Sequence, residues 1–318
     1  MVKLGYHVSH EQFSPSELLD LVMMAEEAGF QFAVSSDHYN PWNESQGHSG
    51  YAWSWLGAAL AKTSIPMGVV NCPCHRYHPA IIAQAVATLL EMFPGRFWIA
   101  VGSGQLLNEG VIGAQWPSKP FRNDKLREAV KVMRALWRGE EINHQGLFEV
   151  QEAKLYTLPK ALPHLVGAAI TPETAEWLGE WADGLITVSQ PMDQLQKVTE
   201  AWRRSEGKNK PMVLKWQVSY DQEEEKALQG AYEQWKTNIF ESGLSAQLRT
   251  PKQFEQASTH IKPEAMSEHV FISNDPAAFI SKINEFHQMG FEKIDVHNVN
   301  KGQKGFIDFF GKHVLPAF

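Results

Sequence analysis

Cysteine is scarce in this 318-residue chain, which has only Cys72 and Cys74, separated by Pro73. A disulfide across one intervening residue is geometrically poor, and two cysteines fall short of the four ligands of a structural zinc site. The 13 histidines form no His-x-x-x-His or His-Glu-x-x-His pair on a predicted helix. The sequence therefore predicts free thiols in a reducing cytoplasm and no metal site.

Long hydrophobic runs and an excess of positive charge are also missing. No run approaches the ~18 apolar residues of a membrane span, and the first ten residues contain no apolar segment of a signal peptide. The 29 Lys and Arg against 36 Asp and Glu give a net charge of −7, which repels a phosphate backbone. The sequence therefore predicts a cytoplasmic protein with neither a membrane nor a nucleic-acid partner.

Short apolar runs alternate along the chain with longer amphipathic patterns. Near-continuous apolar runs indicate strands buried on both faces, and they cover residues 3–9, 30–36, 65–71, 97–103, 164–170, 184–189, 212–220 and 292–299. Helical patterns cover 15–29, 79–92, 120–138, 172–182, 192–206, 222–238, 275–289 and 303–314.

Eight predicted strands and eight predicted helices favour a single (β/α)8 barrel over residues 1–318, with insertions near 140–162 and 239–270. Two domains would also fit the length. A doubly wound open sheet is the other alternative, but the Gly102-Ser103-Gly104 turn lacks the third glycine of a dinucleotide-binding fingerprint.

In such a barrel the active site lies at the carboxyl ends of the strands, where polar residues follow several predicted strands. His38 suits a general base or hydrogen-bonding group because imidazole titrates near neutrality, although Asp37-His38 could be a helix cap with a surface ring. Glu11 could be a solvated loop carboxylate. Trp42 could line a pocket or belong to the core. Gly102–Gly104 could be an ordinary turn or a close approach to a planar cofactor.

Four motifs resemble the bacterial luciferase-like oxidoreductases. The resemblance is strongest to the branch of deazaflavin-dependent glucose-6-phosphate dehydrogenases and methylene-tetrahydromethanopterin reductases, and it covers essentially the whole chain. It implies a (β/α)8 barrel that transfers hydride at a flavin or deazaflavin in the barrel mouth. The motifs are Ser9–Phe13, Ser36–His38 with Pro41-Trp42, Arg76–Ala80 with Ala83–Ala85, and Gly102–Gly104 with Leu107–Glu109.

The resemblance also implies roles for individual residues. His38 matches the catalytic proton-transfer group, Trp42 an aromatic beside the reacting ring, and Glu11 a first-loop carboxylate. Gln105 matches the position next to the ring's polar edge. Val69-Val70 match a bulge that often contains a non-prolyl cis peptide. The positions that match cofactor contacts are Asp37, Val69, Val70, Ser103, Gly104, Asn108, Ala169, Ile170 and Thr171.

Three departures separate the chain from the sugar-phosphate branch. Gln105 replaces a glutamate, and an amide cannot act as a carboxylic acid. Ile170-Thr171 replaces a phosphate-binding Gly-Gly pair, and Ser189–Pro191 lacks a phosphate-binding lysine. These departures disfavour glucose 6-phosphate as substrate and resemble a flavin-using side branch.

The sequence therefore favours FMN over a deazaflavin, with hydride transfer or monooxygenation of a small organic substrate. The resemblance further implies a homodimer. The alternative is a non-catalytic flavin-binding barrel or partner subunit, which the missing acid and lysine would also suit.

Overall fold

The computed structural model describes all 318 residues. Eight parallel strands close into one barrel, because each pairs with the next and the last pairs with the first. The prediction of a (β/α)8 barrel is therefore confirmed. The strands are β1 (Lys3–Val8), β2 (Phe32–Ser36), β3 (Met67–Asn71), β4 (Phe97–Val101), β5 (Leu165–Ala168), β6 (Gly184–Val188), β7 (Met212–Ser219) and β8 (Lys293–Asn298).

Nine longer helices surround the barrel. The helical pattern missed α2, because its N-cap Tyr51 makes no side-chain cap and its C-cap Thr63 is not a glycine. Eight helices were still predicted without α2, because two of the predicted helices, α7 and α8, both lie between β7 and β8. The helices are α1 (Pro15–Ala28), α2 (Ala52–Lys62), α3 (Pro79–Met92), α4 (Lys119–Trp137), α5 (Pro172–Gly179), α6 (Met192–Arg204), α7 (Glu224–Trp235), α8 (Pro276–Gln288) and α9 (Gln303–His313).

The interior of the barrel is apolar on one side and lined by ionisable side chains on the other. A buried apolar cluster spans β2 to β7. Gly5 and Gly68 leave room for it, since a Cβ at either would overlap the ring of Phe32 or Trp98. The buried cluster consists of Phe32, Val34, Trp98, Ala100, Val166, Ile186 and Val213. The ionisable side, on β7, β8 and β1, carries Lys215, Asp295, His297 and His7.

Both predicted insertions have structure of their own. The first forms an antiparallel hairpin of Ile142–Gln145 and Glu149–Ala153. The second contains helices Ser242–Ser245 and Pro251–Ala257 and a 3-10 helix at Pro263–Glu268, followed by a short strand, Phe271–Ile272, beside β7. None of the helices is long and apolar enough to span a membrane.

The second insertion lies against the loops that follow β2 and β4. Phe254 packs edge-on against Trp42, with ring centroids 5.4 Å apart, and the backbone amide of Glu44 donates to Glu255. Arg249 donates to the carbonyl of Gly110. The insertion is therefore placed to cover one side of the barrel mouth.

Candidate active site

Glu11 and His38 form an acid–imidazole pair, with the carboxylate buried and the ring partly exposed, where the loops after β1 and β2 meet. Glu11 Oε1 lies 2.9 Å from His38 Nδ1, and its other oxygen accepts from Ser36 at 2.7 Å and from Ser9 at 3.1 Å. Burial alone would raise the pKa of Glu11, but the His38 ring, Lys215 and Ser36 hold it well below its usual range. Glu11 is thus an ionised carboxylate that can orient His38 and stabilise its cation. Its predicted alternative, a solvated loop carboxylate, is wrong, since it is 4% exposed.

Trp42 forms a wall next to His38. Their ring centroids are 5.2 Å apart, and both side chains are partly exposed. The backbone amide of Trp42 donates to Gln46 at 2.8 Å, which fixes the start of the loop. Because Phe254 packs on Trp42, the covering insertion is coupled directly to this wall.

Asp37 is neither a helix cap nor free. Its carboxylate accepts from Asn71 at 2.7 Å and from Tyr77 at 3.1 Å. Arg76 lies 3.3 Å from the same carboxylate and donates to the Asp37 carbonyl at 2.8 Å. Within the chain, Asp37 therefore ties the loop after β2 to the loop after β3. The resemblance had no role for Asn71, Arg76 or Tyr77 as partners of Asp37, because those contacts join separate strand ends.

Glu109, a third buried acidic residue, also contacts Arg76. Glu109 Oε2 accepts from the backbone amide of Arg76 at 2.8 Å, and Oε1 lies 3.7 Å from Nε. Burial raises the pKa of Glu109 to about 7, although the Arg76 guanidinium opposes that rise. Arg76 is therefore shared between two carboxylates and holds both loops in place.

The loop after β4 is held by contacts within the protein. Gly104 has φ +84°, and a Cβ there would lie 2.8 Å from the Cys72 sulfur, so the glycine is required by packing as well as by backbone conformation. Ser103 accepts from Lys119 at 2.7 Å. Asn108 accepts from the backbone amides of Tyr39 and Asn40. The half-buried Gln105 precedes the short helix Leu106–Glu109 and makes no side-chain cap.

The remaining predicted cofactor contacts are scattered around the barrel rim. Val69 is fully buried and Val70 is partly exposed. Every peptide bond is trans, so the non-prolyl cis peptide that often accompanies this bulge in the family is absent here. Ala169, just after the end of β5, is buried, and Ile170 is exposed. Thr171 caps α5 by accepting from the amide of Thr174, a local task that its spacing before Pro172 could have indicated.

Beneath Glu11 lies a row of ionisable side chains whose contacts with one another sequence reasoning missed. His7 Nδ1 contacts Asp295 at 2.7 Å, and the His7 and His297 rings lie 4.2 Å apart. Lys215 and Asp295 are register partners on β7 and β8. Burial lowers the pKa of Lys215, while Glu11 and Asp295 raise it. The sequence feature that could have revealed this row is the polar residue at every second position of otherwise apolar strands.

Comparison with known proteins places this site in a family. Residues 1–293 match the family model described as luciferase-like monooxygenase. The F420-dependent glucose-6-phosphate dehydrogenase of Beutenbergia cavernae is 33% identical over 327 residues, covering 99% of this chain and 97% of the relative. The corresponding enzyme of Nakamurella multipartita is also 33% identical, over 329 residues, covering 99% and 96%.

A solved structure agrees with the sequence comparison. An F420-dependent secondary alcohol dehydrogenase in complex with an F420-acetone adduct superimposes with a TM-score of 0.91 at 30% identity, covering 99% of this chain and 98% of the other. The chain belongs to the luciferase-like family of oxidoreductases. The predicted family, fold and enzyme class are confirmed, whereas the preference for FMN finds no support among these relatives.

Proposed function

We propose that this protein is a deazaflavin-dependent dehydrogenase that interconverts a small secondary alcohol and its ketone. The observation that carries the proposal is the Glu11–His38 pair beside Trp42 at the barrel mouth. Relatives named as F420-dependent dehydrogenases support the deazaflavin as cofactor.

The residues around the mouth fit a planar heteroaromatic ring. Val70 and Ala168, at the ends of β3 and β5, are partly exposed apolar side chains packed on the apolar interior cluster. They offer a hydrophobic surface for one ring face. Asn71 Oδ1 is buried without a hydrogen-bond partner, and such an atom suits an N–H donor of a ligand. Gln105 is half-buried on the next loop and could donate to the ring's polar edge.

Proton movement falls to His38 in this proposal. Its Nδ1 faces Glu11, so the ring's other nitrogen, Nε2, is left for the substrate hydroxyl. Glu11 stabilises the imidazolium that forms when Nε2 takes the hydroxyl proton, as an orienting carboxylate does in acid–base pairs. The bound deazaflavin supplies a two-electron hydride acceptor. Trp42 limits how far the substrate can lie from His38.

The charges around the mouth favour a neutral substrate over a sugar phosphate. Glu11, Asp37 and Glu109 are three carboxyl groups close to the site, of which Glu109, with a pKa of about 7, is only partly ionised at neutral pH. Two cations of the surrounding loops are already engaged, because Arg76 is shared by two carboxylates and Lys119 donates to Ser103. This agrees with the missing phosphate lysine at 189–191. The expected cytoplasmic location and homodimer remain predictions.

The test is a comparison of cofactors and substrates on the purified protein. Titration with a deazaflavin and with FMN, followed by quenching of ligand fluorescence, should show tighter binding of the deazaflavin. The loaded protein should oxidise short secondary alcohols and leave glucose 6-phosphate unreacted. Preferential binding of FMN, or turnover of glucose 6-phosphate but of no simple alcohol, would overturn the proposal.

A further inference from the structure

A cluster of thiol and imidazole groups lies just outside the proposed catalytic pair, in the loop after β3. The ligand atoms of Cys72, Cys74 and His75 all lie within 4.8 Å of one another. Both thiols are free and buried, and His75 Nε2 is buried with no hydrogen-bond partner. The sequence analysis predicted no metal site because the histidines have no helical ligand spacing; the fold brings His75 beside the two cysteines as a third donor.

The surroundings hold this cluster in a preformed shape. Gly104 fits directly against Cys72, since even a Cβ there would come within 2.8 Å of the sulfur. The ring of Trp116 packs on His75 with centroids 5.2 Å apart, and Arg122 lies 4.4 Å over the Trp116 ring. The three donors therefore converge without a further movement of the backbone.

The surroundings favour a neutral His75 imidazole and a protonated Cys72 thiol before a cation arrives. Burial, followed by the charges of Lys125 and Arg122, lowers the pKa of His75 to about 4, so the ring is neutral at pH 7. Neutral imidazole is the form that binds metals. Burial raises the pKa of Cys72 well above its usual range, so its thiol is protonated.

We propose that Cys72, Cys74 and His75 form a binding site for one thiophilic divalent cation of the Zn²⁺ class. Two sulfurs and one imidazole are the donor set that selects zinc or cobalt over magnesium and calcium, which prefer oxygen. Three protein ligands leave the fourth tetrahedral position to solvent. The proposal is independent of hydride transfer, because none of the three residues belongs to the Glu11–His38 pair.

Binding at this site changes the protonation of the thiols and no oxidation state. One divalent cation forms two metal–sulfur bonds and one metal–nitrogen bond, while two thiol protons leave to solvent. The two thiolate charges cancel the charge of the cation, so the site is neutral when occupied. Affinity must therefore rise with pH, because protons compete with the metal for sulfur.

The experiment uses the full chain, reduced and freed of metal, with Co²⁺ as the spectroscopic probe and Zn²⁺ as competitor. We expect one Co²⁺ per chain, near-ultraviolet bands of thiolate-to-cobalt charge transfer, about two protons released per metal, and displacement by Zn²⁺. Absence of charge-transfer bands from the parent protein would overturn the proposal without any variant.

Variants then assign the ligands. Cys72→Ser and Cys74→Ser should each weaken Zn²⁺ binding by more than about 100-fold and His75→Gln by at least about 10-fold, with circular dichroism confirming the fold. His313→Asn, at an exposed histidine of α9, should leave the affinity unchanged. Equal Zn²⁺ affinity in the parent and both serine variants would contradict the site even if the metal binds elsewhere.

Discussion

His38 is the side chain on which the proposed proton transfer depends. Replacing it with Gln keeps a hydrogen-bonding group but removes the base, so we expect kcat for alcohol oxidation to fall by about 10²–10⁴-fold. Glu11→Gln should give a smaller loss, because the base remains while its orienting charge is gone. Steady-state kinetics with cofactor titration checks this, since the dissociation constant of the cofactor should change little.

One control makes that prediction discriminating. His313→Asn alters an exposed histidine remote from the mouth and should leave kcat unchanged. If His38→Gln binds the cofactor normally and turns over at the parent rate, His38 is not the proton-transfer group.

Lys215 influences the protonation of Glu11 in the catalytic pair. Its ammonium lowers the pKa of Glu11, so Lys215→Met should raise that pKa and make Glu11 protonate at higher pH. The acid limb of the pH profile of kcat/KM should therefore move upward by up to about one unit. Asp295→Asn is the control, because Asp295 is a partner of Lys215 rather than of Glu11. This variant should not shift the acid limb of the kcat/KM profile to higher pH. An unchanged or lowered acid limb in Lys215→Met would contradict this role.

The sequence predicted some of these residues and missed others for a physical reason. His38, Trp42 and Glu11 could be predicted because each follows a strand and carries a motif. Lys215 and Asp295 could not, because their pairing depends on the register of β7 against β8. Contacts that depend on which strands become neighbours leave no local signal in the chain.

At the scale of elements, the helix Pro251–Ala257 is the part of the insertion that contacts the site. Phe254 is fully buried there and packs on Trp42. Phe254→Ala should cost about 3–5 kcal/mol of packing, mostly by loosening the insertion, because the barrel's own strands and helices remain paired. We expect faster hydrogen exchange over residues 242–268 and a higher KM for the alcohol.

A control within the same insertion tests that interpretation. Leu244 is 46% exposed, so Leu244→Ala should alter neither exchange nor KM. If Phe254→Ala leaves both quantities at parent values, the insertion does not cover the substrate.

Individual strands and helices were easier to predict than the contacts between them. All eight barrel strands were predicted from apolar runs, with ends displaced by a few residues. Helix α2 was missed because Tyr51 and Thr63 provide neither a capping side chain nor a terminal glycine. Two of the predicted helices, α7 and α8, both lie between β7 and β8. The predicted numbers of strands and helices were therefore equal, although strands and helices do not alternate strictly along the chain.

Across the whole molecule, buried histidines link stability to pH. Burial lowers the pKa of His10 to about 4, so below about 6.5 the unfolded chain takes up a proton that the folded chain refuses. This contribution to stability is complete above about 6.5 and is lost as the pH falls toward 4. Glu109 acts in the opposite direction, since its raised pKa makes the folded chain bind a proton more readily between about 4.5 and 7.

A difference measurement separates the two effects. The free energy of unfolding in urea, measured at several pH values, should fall less steeply with acid for His10→Asn than for the parent protein. Glu109 is present in both proteins, so its contribution cancels. Parallel curves for the two proteins would show that His10 does not stay neutral in the folded state.

The central claim is that this barrel transfers hydride from a secondary alcohol to a deazaflavin. The most direct measurement mixes the protein with one equivalent of oxidised deazaflavin and excess 2-propanol, without oxygen or another electron carrier. We predict loss of the oxidised deazaflavin's visible band, one acetone per deazaflavin, and slower loss when the carbon-bound hydrogen is deuterium. A band that persists with every secondary alcohol tried, or reduction of FMN but not of the deazaflavin, would contradict the account.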